Sequence, residues 1–303
     1  MEGSANHAAW PLRASGCFVR RDVALMFSAQ AQKLGIAINF GVGVTNYLED
    51  SAMGLGIIHT DDGRELSADI VVAADGFGTK SHSVVVDYPT RAVSTGYCDD
   101  GTATESWSTG VAPEQMAAAV PGLQSWYHLP VESIKNTPPD TNVQWKLCLR
   151  KPQPNWTSES GCIVQIGDAA RSPLPPSANG AAMALEYSMS LAGCLRLGGK
   201  EEAAMATKVH QDLRCLLNTS MKQVTKGGKA FLFYGKWLWQ HNVDKYATAN
   251  FEAARQSIEL GNAFKNTNLP RGHVSQDWTM ESRLAKEMAG IFIQDLNLKY
   301  KYT

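Results

Sequence analysis

Residues 161–187 read GCIVQIGDAARSPLPPSANGAAMALEY, and this stretch limits the fold more than any other. An apolar run stops at Gly167-Asp168, passes through a proline-rich bend, and opens a small-residue helix at Asn179-Gly180. The pattern predicts a buried strand, a turn and a helix. The helix start would present free N–H groups and the positive end of a dipole, which favours a delocalised anion. Asp168, just past the strand, can accept hydrogen bonds from sugar-like hydroxyls. Ala178, Gly180, Ala181, Ala182 and Ala184 would let a planar ring lie against the backbone. A tightly packed helix with a capped start is the alternative reading.

A second junction of the same kind lies upstream, DIVVAADGFGTKSHSVV at 69–85. The run IVVAA is apolar without alternation, as expected for a strand covered on both faces. Asp75-Gly76 follow its carboxyl end, the position where open α/β sheets place ligands. Gly76 permits close backbone approach. A purely structural turn is the alternative.

Between and around these junctions the chain alternates strands and helices. DVALMFSAQAQKL (22–34) sets Val23, Met26, Phe27, Gln30 and Leu34 at helical spacing, with Gly35 as a stop. IAINFG reads as a short strand. The following residues form a hairpin pattern in which Asp62-Gly63 is the turn between LGIIHT and ELSADI. Residues 87–160 carry prolines, Ser and Thr clusters and four tryptophans, with a helix at 113–120 and a strand at VQWKLCLR. After a helix over about 180–197, stopped by Gly198-Gly199, the pattern stays helical to about 260. KAFLFYGKWLWQHN reads as aromatic packing, and the last forty residues as an irregular arm.

Composition narrows the function. A net charge of −1 without long blocks of either sign gives no basis for a nucleic-acid surface. Six scattered cysteines form no CxxC pair, and the histidines show no metal spacing, so neither a zinc site nor a redox dithiol is expected. No apolar run reaches the ~18 residues of a membrane span, and no signal core opens the chain. A cytoplasmic location is the resulting expectation.

Taken together, AADGFGTKS and IGDAARSPLPPSANGAAMALE strongly resemble the DG and GD motifs of the class A FAD-dependent monooxygenases, the flavoprotein aromatic hydroxylases. FVRRDVALM resembles the Arg-x-Asp helix start of that family. GTATESWS, QWKLCLRKPQPNW, SLAGCLRLGGK and HNVDKYATANF resemble its fungal secondary-metabolism branch. The likeness extends from about Arg20 to His273. It implies an α/β fold: a partial, truncated FAD-binding Rossmann-like domain of the aromatic-hydroxylase type, with a reduced substrate region and a helical C-terminal part.

Carried over by position, the resemblance implies that Asp168 holds ribityl or ribose hydroxyls of FAD, with Gly167 beside it in the cofactor site. Asp75 and Gly76 would shape the cofactor and NAD(P)H groove, and Arg20 would lie near the cofactor. Pro175 and the backbone of Asn179, Gly180 and Ala181 would sit by the isoalloxazine. Such enzymes take hydride from NAD(P)H, bind oxygen, and hydroxylate or epoxidise an electron-rich small molecule, here an aromatic, polyketide or terpenoid intermediate. The chemistry belongs to the cofactor, and the protein supplies placement and water exclusion.

The sequence also departs from that pattern. The Gly-x-Gly-x-x-Gly unit that cradles the FAD pyrophosphate is not found, and the 19 residues before Arg20 are too few for it. FGVGVTNY lacks the third glycine and reads as a strand bend. Residue 171 is Arg where His is usual, 176 is Pro where a small polar residue is common, and 187 is Tyr where an acid is usual. Only 92 residues separate Asp75 from Asp168, short for a substrate-covering sheet. Each lost cradle hydrogen bond would cost roughly 1.5–3 kcal/mol, so tight FAD binding is not expected of this chain alone.

The resulting division is 1–86, a partial FAD-binding domain with the DG motif; 87–158, a reduced substrate region; 159–200, the GD strand and helix; and 201–303, C-terminal helices and arm. An exposed sheet edge is compatible with a homo-oligomer or a complementing second chain. The alternative function is a flavin-independent cyclase, isomerase or binding protein with Asp168, Arg171 and Tyr187 as its polar groups. An inactive truncated pseudoenzyme is the third reading.

Overall fold

A computed structural model describes residues 19–86, 92–94, 107–109, 111–119, 122–125, 128–138, 143–145, 148–150, 153–172, 180–226 and 242–267. The chain enters through helix α1 (Arg20–Lys33), where the apolar spacing predicts a helix. None of its residues is buried, however, and Leu25, Met26, Phe27 and Leu34 all stand exposed. The expected strand at IAINFG is absent: residues 36–40 are irregular and mostly exposed. With no neighbouring strand among the described residues to take up their N–H and C=O groups, β-favouring side chains alone do not make a ladder.

Three strands follow as an antiparallel meander: β1 (Val44–Asp50), β2 (Leu55–Thr60) and β3 (Glu65–Ala68). Asp50 Oδ1 closes the first turn by accepting from Ala52 and Met53 N–H at 3.0 and 2.9 Å. Asp62-Gly63 makes the second turn as anticipated. Thr60 Oγ1 donates to Asp62 Oδ1 at 2.5 Å, and Gly63 takes a φ of 84° that a side chain would resist.

Strand β4 (Val71–Ala73) leads through the DG turn into a single helical turn, α2 (His82–Val85). Four short strands and two helices come next: β5 (Ala92–Ser94), β6 (Trp107–Thr109), α3 (Pro113–Ala119), α4 (His128–Lys135), β7 (Val143–Trp145) and β8 (Cys148–Arg150). The expected strand VQWKLCLR is described at its two ends, β7 and β8. Its halves pair antiparallel with different partners, β7 with β6 and β8 with β5.

Strand β9 (Ile163–Gln165) pairs parallel with β4, Val71 to Ile163, Val72 to Val164 and Ala73 to Gln165. Its three residues are all buried. The meander packs on this pair through Gly56: a Cβ there would stand 2.8 Å from both Cys162 O and Val71 Cγ2. Tyr47, Ala73, Val85, Val86 and Ile163 form the core between meander, parallel pair and α2. The expectation that IVVAA is covered on both faces fails at Val72, which is 41% exposed. Strand β4 has one described hydrogen-bonded neighbour, β9, rather than the two of an interior strand.

Helices α5 (Gly180–Gly198), α6 (Ala203–Lys226) and α7 (Val243–Glu259) complete the described chain. Gly199, at φ 64°, stops α5 with its N–H on Leu195 O at 3.0 Å, the expected glycine C-cap. Asn242 caps α7 by accepting from Lys245 N–H at 2.9 Å. Val243, Ala247, Phe251 and Ala254 then fall on one buried face. Cys194, Ala206, Val209, Leu213, Ala247, Phe251 and Ala254 form the core of the three helices. The aromatic segment KAFLFYGKWLWQ and the last forty residues, apart from those up to 267, lie outside the described residues. Among the described residues no helix is long and apolar enough to cross a membrane.

Candidate functional site

The parallel register of β4 and β9 sets the two sequence motifs side by side. Asp75 follows Ala73 by two residues, and Gly167 follows its partner Gln165 by two. The ladder closes with Ile166 N–H donating to Ala73 O at 3.0 Å. The turns Asp75-Gly76 and Gly167-Asp168 thus leave the carboxyl ends of adjacent strands on the same side. Parallel strands place ligand-binding turns there because every strand ends at one edge.

Polar contacts beneath the turns lock the two strands laterally. Gln165, fully buried, donates through Nε2 to Ser81 Oγ at 2.7 Å and also engages Gln153. Ser81 in turn shares a 2.7 Å hydrogen bond with Thr79 Oγ1. The Thr79-Lys80-Ser81 end of the DG segment is therefore tied to the last residue of the GD strand. Behind β9, Glu49 of β1 gathers the preceding loop, accepting from Ser158 Oγ at 2.5 Å and from Ser160 and Cys162 N–H at 3.1 Å each. Partial burial would raise its carboxyl pKa, but the three donors outweigh burial and hold it below the usual value.

Asp75 is exposed, and its Oδ2 accepts from the Tyr47 hydroxyl at 3.0 Å. Gly76 takes a φ of 79° with nothing within 4 Å of a Cβ position, so the turn opens onto free space. Gly167, at φ 58°, has Ala184 of α5 3.4 Å from its Cβ position. A side chain at 167 would press on the very helix that follows the motif. Asp168 is exposed, and the turn is closed by Arg171 N–H on Gly167 O at 2.9 Å. Gly180 is the first residue of α5, and Ala181 is exposed beside it. Pro175 and Asn179, together with Ala178, lie outside the described residues. Arg20 opens α1, exposed, on a helix that packs none of its residues into a core.

A third cluster adjoins the GD turn. Trp156, Ala170, Met183 and Tyr187 pack together, the Trp156 and Tyr187 rings 4.9 Å apart. Tyr187 is 1% exposed. Burial pushes its phenol pKa up, opposed by the Arg171 and Arg214 guanidinium groups. Tyr187 is thus enclosed in the core beside Trp156 and Met183. Sequence reasoning missed Tyr47, Ser81, Gln165, Trp156 and Arg214. Only Tyr47 carried a signal, as an aromatic at an inward position of an alternating strand.

The flanking loop FGVGVTNY runs straight into β1 rather than into a helix, with Gly41 at φ 71°. It is an irregular loop entering β1 rather than the expected bend within a strand, and it cannot offer the helix N-terminus on which a pyrophosphate rests. The described groups suit hydroxyls, with two exposed carboxylates and open glycine backbone at one edge.

A parallel strand pair ending in two acid–glycine turns, followed by a small-residue helix, defines an α/β cofactor-binding fold. Solved structures share this fold. The crystal structure of CtdE in complex with FAD superposes with a TM-score of 0.64 at 20% identity, covering 77% of this chain and 74% of that one. FqzB gives 0.64 at 22% identity, covering 81% and 72%.

By sequence, the FAD-dependent monooxygenase fsr3 of Gibberella fujikuroi is 31% identical over 346 residues, covering 89% of this chain and 66% of that protein. The FAD-dependent monooxygenase mdpD of Emericella nidulans is 29% identical, covering 92% and 68%. No family model matches the chain. The chain belongs to the FAD-dependent monooxygenases of the aromatic-hydroxylase type, in their fungal secondary-metabolism branch. It spans about two thirds of the length of these relatives. The match to fsr3 covers 346 positions but uses 89% of 303 residues, about 270, so about 76 positions lie opposite gaps within this chain.

Proposed function

We propose that this chain supplies the ribityl-and-ring half of an FAD site in a monooxygenase that uses NAD(P)H and O2. The substrate would be an aromatic, polyketide or terpenoid small molecule, hydroxylated or epoxidised in fungal secondary metabolism. The observation that carries the reading is the parallel pairing of β4 with β9, which sets Asp75-Gly76 beside Gly167-Asp168. When bound, FAD would supply hydride acceptance and oxygen chemistry. Asp168 would accept from ribityl or ribose hydroxyls, and Asp75 with Gly76 would border the dinucleotide groove. The start of α5 at Gly180 would favour negative charge on the reduced ring. Arg20, Pro175, Asn179 and Ala181 complete the set by family resemblance.

The same reading takes 1–86 and 159–200 as parts of one cofactor domain, 87–158 as a reduced substrate region, and 201–303 as supporting helices and arm. Buried free thiols at Cys162 and Cys194 fit a reducing, cytoplasmic setting. Use of the groove without flavin, as a cyclase or isomerase, draws less support, because Tyr187 is closed into the core.

The test is a titration of the purified chain with FAD, followed by flavin fluorescence. Binding that Asp168→Ala weakens supports the reading. An unaltered flavin signal at saturating protein refutes it for this polypeptide.

A further inference from the structure

We propose that Tyr47 is a positioning residue for the flavin site, holding the Asp75 carboxylate in its binding orientation; this rests on the flavin reading above. Tyr47 comes from β1, 28 residues before Asp75, and its hydroxyl donates to Asp75 Oδ2 at 3.0 Å. The tyrosine is 3% exposed, and Ala73, Val85, Val86 and Ile163 are buried in the same cluster. The parallel strand pair and α2 therefore fix the ring, and with it the position of the hydroxyl.

Asp75 has no such support of its own. It stands exposed on a turn, next to Gly76, where nothing lies within 4 Å of a Cβ position. An exposed aspartate divides its time among staggered rotamers, and a ligand that needs one of them must order the side chain on binding. A donor fixed in the core selects one orientation beforehand. It also engages a single oxygen: Oδ1 has no hydrogen bond among the described residues, so the carboxylate keeps an acceptor for an incoming hydroxyl. The donor role is secure, because burial and the adjacent Asp75 charge both push the Tyr47 phenol pKa above its ordinary value.

Nothing in the sequence motif predicts this residue. The DG strand carries Asp75, while the residue that orients it lies in a different sheet. The arrangement is that of a site held by a second layer of hydrogen bonds rather than by its own loop.

The experiment is a double-mutant cycle in FAD affinity on the whole chain, with Tyr47→Phe, Asp75→Asn and the two combined. Tyr47→Phe is expected to weaken FAD about tenfold. The combined variant should bind no more weakly than Asp75→Asn alone, because the hydroxyl acts only through that carboxylate. Thermal melts without FAD serve as the control, and Tyr47→Phe should melt close to the unsubstituted chain.

Unchanged affinity in Tyr47→Phe overturns the proposal while leaving the flavin reading intact. So do independent, multiplying effects of the two substitutions, or a loss of affinity matched by a loss of stability without ligand. Failure of the unsubstituted chain to bind FAD overturns the flavin reading and the proposal with it.

Discussion

Arg214 lies against the face of the Tyr187 ring, its guanidinium carbon 5.2 Å from the ring centroid, and donates through Nη2 to Glu186 Oε2 at 2.5 Å. The arginine is 1% exposed and its partner 24%. Among the described residues Arg214 Nε and Nη1 have no hydrogen-bond partner, and the one carboxylate paired with this buried charge is Glu186. Removing it is expected to destabilise more than removing both. Glu186→Ala should lower unfolding free energy by about 3 kcal/mol, whereas Glu186→Ala combined with Arg214→Met should recover part of the loss. Urea unfolding of the three chains checks this.

His210 neighbours the same arginine and hydrogen-bonds Ser190 Oγ through Nδ1 at 3.1 Å. Complete burial, reinforced by the Arg214 charge, lowers its pKa to about 3. The unfolded chain binds a proton near pH 6.5 that the folded chain refuses until about pH 3. Stability should therefore fall as pH drops from about 6.5 toward 3. His210→Gln is expected to flatten the slope between pH 6.5 and 5, where carboxylates with ordinary or lowered pKa values stay ionised. Melting temperature against pH for both chains is the measurement.

Glu49 joins β1 to the loop that feeds the GD strand through three donors. Its folded pKa is lowered, so its contribution is present above the unfolded value near 4.3 and lost as pH falls through the folded one. Glu49→Gln should cost about 1–2 kcal/mol, the charge-assisted part of those bonds discounted for partial exposure. Hydrogen exchange at Ser160 and Cys162 amides should accelerate in the same variant. Unchanged exchange there would argue that the loop is held by packing instead.

Gly161 marks where β9 meets α6. Its φ is 89°, and a Cβ would stand 2.4 Å from Ala204 O. Its own carbonyl accepts from Thr207 Oγ1 at 2.7 Å. Gly161→Ala is expected to lose at least about 2 kcal/mol from backbone strain and overlap together. Thr207→Ser, which keeps the hydroxyl, should be nearly neutral. Denaturant midpoints distinguish the two.

The amino-acid sequence by itself determined the local elements that rest on short-range chemistry. Asp62-Gly63 reads as a turn because glycine alone tolerates its φ. The α5 helix stops where Gly198-Gly199 can cap it, and the apolar face of α7 is spaced for burial. Both cofactor turns are visible as acid–glycine pairs after apolar runs.

What the sequence misplaced depended on neighbours. IAINFG has strand-like residues but no partner strand among the described residues, IVVAA has one such neighbour, and the apolar stripe of α1 meets no core. Only tertiary structure decided that β4 and β9 lie parallel and in a register that puts Asp75 level with Gly167. The same folding brought Tyr47, Ser81, Gln153 and Gln165 to that edge and shut Tyr187 away behind Trp156 and Arg214. Contacts between residues 28 or 84 positions apart leave no periodic trace along a chain. They follow from how sheets stack and which side chains the stacking buries.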